Sequence, residues 1–139
     1  MTTRLIDDTL FDSAHPPRLV GARCSGCATV VFPRQDSCPR CSQRAMSAQA
    51  LPVSGYLWSW TLQAFPPKPP YRAPAGGWEP YHVGYVDLGE VLVEARLAIE
   101  RSQIRIGLPV RLTTIHAYDD ESGTEVLTFA FEPDQEGGR

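Results

Sequence analysis

Residues 23–41 read Arg23-Cys24-Ser25-Gly26-Cys27-Ala28-Thr29-Val30-Val31-Phe32-Pro33-Arg34-Gln35-Asp36-Ser37-Cys38-Pro39-Arg40-Cys41. Two Cys-x-x-Cys knuckles stand ten residues apart, and between them they hold all 4 cysteines of the chain. Thiolates at this spacing turn back toward one ion, and two such turns complete the tetrahedral four-sulfur shell that structural zinc prefers. The spacing therefore predicts a metal-held ribbon with Cys24, Cys27, Cys38 and Cys41 as ligands. Iron in the same shell would make an electron carrier. Such a carrier has little use for the long region that follows, so zinc is the metal the chain favours. With every thiol committed, none remains as a nucleophile or redox centre.

Downstream of the ribbon the pattern changes to strands. Tyr56, Trp58, Trp60 and Leu62 alternate with Leu57, Ser59, Thr61 and Gln63, a period of two in an aromatic and β-branched stretch. Val83–Leu88 reads as a second strand and Val91–Ile99 as a third, with Leu88-Gly89-Glu90 as the hairpin between them. A fourth strand is expected from Val110 to about Tyr118. Asp119–Gly123 then turns the chain into a fifth, Glu125–Phe131. Five strands with an offset at Glu100–Pro109 fit an OB-like Greek-key barrel, whereas a sandwich would want about seven.

Two further segments stand out. At the N-terminus, Leu5, Ile6, Leu10 and Phe11 fall near helical spacing and suggest a short amphipathic helix that needs a surface to dock on. Between the first two barrel strands, residues 65–80 hold six of the 13 prolines. Proline stiffens an extended loop of this length. Phe65, Tyr71, Trp78 and the adjoining Tyr81 give it apolar contact points suited to a partner or a substrate. The expected organisation is mostly β: an N-terminal helical arm over 1–16, a zinc ribbon over 17–48 and a five-stranded OB-fold domain over 49–135.

Charge is unevenly placed. Residues 18–44 carry Arg18, Arg23, Arg34, Arg40 and Arg44 against Asp36, a local +4, so the remainder must hold −7 of the formal −3. A basic face can meet phosphate, yet an acidic barrel argues against a nucleic-acid partner even though Trp58, Trp60, Tyr81 and Tyr85 offer stacking rings. There is no GxSxG, no phosphate-cradling P-loop and no GxGxxG, and His15, His82 and His116 are scattered. No catalytic residues are expected. The absence of a membrane-length apolar run or a secretory leader predicts a cytoplasmic protein with no membrane contact.

Several stretches are similar to a known family. Pro17–Cys27, Val31-Phe32-Pro33-Arg34 and Cys38-Pro39-Arg40-Cys41 resemble the ribbon half of the Zn-ribbon/OB-fold, acyl-CoA-associated family long labelled a domain of unknown function. Gly55–Thr61, Pro80–Leu88, Arg105–Val110 and Phe129–Pro133 resemble its barrel half. One departure is Ala28, where many members carry glycine. The resemblance implies a rubredoxin-like zinc ribbon. It also implies the small, non-catalytic subunit of a thiolase-superfamily enzyme, a thiolase, acyltransferase or retro-aldolase, whose thiolase-like or lipid-transfer-protein-like large chain acts on acyl-CoA thioesters of sterol side-chain or aromatic degradation. A stand-alone acyl-CoA-binding protein is the alternative, and a single-stranded nucleic-acid-binding OB protein a weaker one.

Overall fold

The computed structural model describes residues 3–11, 18–69 and 71–134. Among these residues nine strands form two sheets. The ribbon sheet consists of β2 (Val20–Cys24), flanked on one side by β3 (Val30–Val31) and on the other by β4 (Met46–Ala50), all antiparallel. The weakly patterned β4 was not foreseen. It exists because β2 presents a second hydrogen-bonding edge, which residues 46–50 fill in register from Val20↔Ala50 to Cys24↔Met46.

The barrel strands fall where the alternation placed them: β5 (Ser54–Gln63), β6 (Tyr81–Asp87), β7 (Leu92–Leu97), β8 (Pro109–Asp119) and β9 (Glu125–Pro133). β5, β6 and β7 form an antiparallel meander. β8 pairs with both β5 and β9, and β9 meets β7 in parallel through Arg96↔Ala130 and Leu97↔Phe131. That parallel contact closes the sheet on itself, which is the connectivity of an OB barrel. Leu57, Val86, Val93, Val110, Val126 and Phe131 fill the interior, each with at most 1% of its surface exposed. A 3-10 turn at Arg101–Gln103 links β7 to β8, and the Arg101 guanidinium lies 4.6 Å above the Trp60 ring.

Among the described residues the expected N-terminal helix is not seen. Thr3–Leu5 forms strand β1, which adds in parallel to β9 at Glu125–Leu127, and a single 3-10 turn follows at Asp8–Leu10. Residues 12–17, the rest of the expected arm, and His15 with them, lie outside the described residues. The physical reason is an open edge. β7 reaches β9 only at residues 130–131, so the start of β9 keeps free backbone groups that an extended segment satisfies and a helix does not. Three of the four apolar side chains still go inward, Phe11 buried and Leu5 and Leu10 packed against the core, while Ile6 is exposed.

Ribbon and barrel share that core, since Leu19, Val30 and Leu51 belong to the same buried cluster as Leu57 and Phe131. Phe129 joins them, meeting Phe32 edge-on at 5.7 Å and Phe11 at 6.3 Å. Arg23 adds an ion pair to Glu90 in the β6–β7 turn at 2.6 Å.

Asp120 ties β1 to the β8–β9 turn. Its carboxylate accepts the Ser122 hydroxyl at 2.7 Å, the amides of Ser122 and Thr124 at 2.9 and 3.0 Å, and Arg4 Nε at 3.2 Å. These donors, the Ser122 hydroxyl foremost, hold the carboxyl at about 2, below its ordinary 3.8. A carboxylate depressed in the folded state stabilises the fold above its unfolded value and ceases to do so as pH falls through the folded one. Thermal unfolding between pH 4 and pH 2 is therefore expected to lose stability more steeply in the native chain than in Asp120→Asn, and equal slopes would contradict this role.

Candidate metal centre

Each knuckle is built by its backbone. Cys24 accepts from the Ala28 amide at 2.8 Å while its own amide donates to the Thr29 carbonyl at 2.9 Å. The second knuckle repeats the arrangement, with Ser42 N donating to Cys38 O at 2.8 Å and Cys38 N to Gln43 O at 2.9 Å. Both turns require a left-handed residue just after the second cysteine. Ala28 and Ser42 occupy those positions at φ 67° and 68°, the only non-glycine positive-φ residues among those described. A side chain there costs about 1–2 kcal/mol.

The two knuckles face each other. All four Sγ atoms lie within 4.8 Å of one another, with Cys24–Cys41 and Cys27–Cys38 at 3.6 Å. These separations are far beyond the ~2.05 Å of a disulfide. They suit a tetrahedral shell, in which sulfurs about 2.3 Å from zinc stand roughly 3.8 Å apart. Cys24 and Cys38 are buried while Cys27 and Cys41 are half-exposed.

The surroundings favour thiolate where donors are close. The Thr29 hydroxyl, 3.1 Å from Cys27 Sγ, together with the Thr29 amide, lowers the Cys27 thiol to about 6. The amides of Cys41 and Arg40, 3.5 and 3.4 Å from Cys38 Sγ, lower Cys38 as well. At Cys41 the Gln43 amide also lowers the thiol, but burial and the three neighbouring sulfurs outweigh it and push Cys41 up to about 12. Four sulfurs this close do not all ionise alone, whereas a dication permits it. The donor set thus fits a divalent metal with four protein ligands and no open position for water or substrate, which is a structural site.

The other singled-out residues do not gather into one site. Phe65 projects to solvent, 77% exposed. Tyr71 and Tyr81 instead line a shared cleft of about 530 Å³ with Arg72, Arg96 and Tyr118, beside Ile6 and Leu10 of the N-terminal segment. There Arg96 stacks on Tyr81 at 3.9 Å and Arg72 on Tyr118 at 4.6 Å. Trp78 is half-buried, and its indole N–H finds no acceptor among the described residues. Sequence reasoning missed the two arginines, because the partners of Arg96 and Arg72 lie 15 and 46 positions away and only the fold unites them. His82 packs edge-on against Trp60, and His116 meets Asp119 on the exposed face of β8. Of the ribbon arginines, Arg23 is structural, while Arg34, Arg40 and Arg44 are exposed with no ion pair among the described residues.

Known proteins share this arrangement. Residues 11–47 match the family described as "ChsH2, rubredoxin-like zinc ribbon domain", and residues 48–114 match "ChsH2, C-terminal OB-fold domain". The probable enoyl-CoA hydratase alpha subunit of Thermomonospora curvata is 31% identical over 109 residues, 77% of this chain, but the matched region spans only 32% of that relative. The benzoylsuccinyl-CoA thiolase subunit BbsA of Thauera aromatica is 29% identical over 116 residues, 83% of this chain and 76% of that protein. Among solved structures, a chain of the Ltp2-ChsH2(DUF35) aldolase is similar with a TM-score of 0.62 and 26% identity, covering 96% of this chain and 98% of that one.

Two outcomes check the centre. Chelation, or Cys38→Ser, is expected to abolish metal binding measured by atomic emission and to unfold residues 20–50 while the barrel keeps its near-ultraviolet signal; full retention of ribbon structure without metal would refute a structural role. Ala28→Gly is expected to relieve the left-handed strain and raise stability by about 0.5–1 kcal/mol in denaturant unfolding.

Proposed function

The chain belongs to the ChsH2 family of zinc-ribbon and OB-fold proteins, and on that premise we propose that it is the non-catalytic, zinc-binding small subunit of a thiolase-superfamily enzyme acting on acyl-CoA thioesters. The observation that carries this reading is the closure of the metal shell. All four thiols of the chain converge on one four-ligand site, so none is left over as the nucleophile of thioester chemistry. The large subunit, of thiolase-like or lipid-transfer-protein-like fold, supplies the catalytic groups. The names of two relatives, a thiolase subunit and an aldolase, support this division of labour.

Zinc is the resident metal in this reading. Four thiolates form a soft, tetrahedral donor set, and among the described residues no second metal-ligating cluster stands near to exchange an electron with it. The metal fixes the knuckles, and the fixed ribbon presents Arg34, Arg40 and Arg44 beside a barrel that contacts the large chain. The loop residues Phe65, Tyr71, Trp78 and Tyr81 contribute to partner or substrate contact, Tyr71 and Tyr81 from the walls of the cleft and Phe65 from its exposed position just after β5. The thioesters belong to the degradation of sterol side chains or aromatic compounds, and the complex works in the cytoplasm, without contact to membrane.

One observation favours a second reading. Arg72 and Arg96 lie together in an aromatic-walled cleft and have no ion pair among the described residues, an arrangement suited to a phosphate-bearing ligand such as a free acyl-CoA. Co-production with a candidate thiolase-superfamily large subunit separates the two. The first reading predicts a stable zinc-containing complex by light scattering and no heat of CoA-thioester binding to the isolated chain. Independent migration of the two proteins, with calorimetric binding to this chain alone, would replace it with the second.

A further inference from the structure

Strand β5 breaks its own alternation at Trp58. Leu57 and Ser59 pair with Val86 and Tyr85, consecutive residues of β6, so Trp58 is an extra residue bulged out of the ladder. In an unbroken strand Trp58 and Trp60 would share a face. The bulge separates them: Trp60 packs against the core, while Trp58 stands outside, 56% exposed. Gly84, opposite Trp60, makes the local approach possible, since a Cβ there would collide with the Ser59 carbonyl oxygen. A bulge is a means of re-aiming one side chain, and here it keeps the largest one out of the barrel.

Trp58 does not stand alone. Its ring meets Tyr85 edge-on at 6.4 Å. Tyr56 and Leu92 lie on the next row of the same outer face, one on each side of Asp87. Tyr56, Tyr85 and Leu92 are all exposed, at 59%, 42% and 39%. An aromatic group of this kind, backed by rigid strands, has the composition of a binding hot spot rather than of a solvated strand face.

Charge and area identify the occupant. Asp87 and Glu94 lie within the strip, and no described residue forms an ion pair with either. Two copies meeting through it would oppose these carboxylates to themselves. The exposed parts of three aromatics and one leucine amount to roughly 300–400 Å², the apolar centre of a specific interface but well short of the ~800 Å² that each partner buries. The remainder must come from a larger body that extends past the barrel wall.

We propose that the strip formed by Trp58, Tyr85, Tyr56 and Leu92 is the docking face for the large thiolase-like subunit, whose matching surface is apolar with basic side chains opposite Asp87 and Glu94. This rests on the function proposed above. The test measures the dissociation constant between the full chain and the co-produced large subunit for the native protein, Trp58→Ala, Glu94→Lys, and Leu62→Ala, an exposed apolar residue on the Trp60 side of β5 and so off the strip. Zinc content and circular dichroism report folding. Trp58→Ala is expected to weaken the complex about thirty-fold or more. Glu94→Lys, which leaves the packing untouched, should weaken it several-fold and Leu62→Ala should leave it unchanged. A native complex that neither strip variant weakens overturns the docking face and leaves the functional reading standing. A chain that dimerises alone and becomes monomeric as Trp58→Ala overturns it in favour of self-association. Absence of any native complex overturns the functional reading itself.

Discussion

The convergence of four sulfurs is the constraint on which the ribbon depends. Its three strands contain two, five and five residues, too few to hold a sheet by their own ladder. A structural zinc supplies on the order of 10 kcal/mol to a unit of this kind. That stabilisation outweighs the left-handed backbone at Ala28 and Ser42, which a metal-free turn would have reason to avoid. It also orders the segment between the knuckles, whose Val30 and Phe32 then reach the common core.

The barrel depends on closure. Once β9 meets β7 in parallel, no barrel strand keeps a full free edge, and the one partial edge is filled by β1. Ribbon, N-terminal strand and barrel therefore converge on Phe129, with Phe11 on one side and Phe32 on the other. The four-cysteine ribbon is thus mechanically continuous with the barrel wall, so an ion held by its sulfurs fixes where that wall stands relative to the rest of the chain.

What could be read from the residues follows physical lines. Cysteine spacing pointed to the four sulfurs that the fold brings together, because a chelating turn is local, two residues at a time. Period-two alternation specified all five barrel strands because burial on one face is written directly into sequence. The N-terminal segment was misread for a different reason. Leu5, Ile6, Leu10 and Phe11 are compatible with helical spacing, and what decided their conformation was the unfilled edge of β9, a tertiary fact more than 100 residues away. The bulge at Trp58 was equally hidden, since Tyr56, Trp58, Trp60 and Leu62 look like one face until Gly84 and Tyr85 show where the ladder slips. Ala28 was visible as a departure from glycine, but its positive φ was visible only in the turn. The cation–π pairs Arg96–Tyr81 and Arg72–Tyr118 had no signal at all in single-sequence spacing.

The central claim is that this chain lends structure to chemistry performed by another. It is tested most directly by single-turnover cleavage of a CoA thioester, measured with the large subunit alone, this chain alone and the reconstituted pair. The account predicts turnover by the pair, none by this chain, and a large loss when the large subunit acts alone. Turnover by this chain in isolation, or full activity of the large subunit without it, would contradict the account.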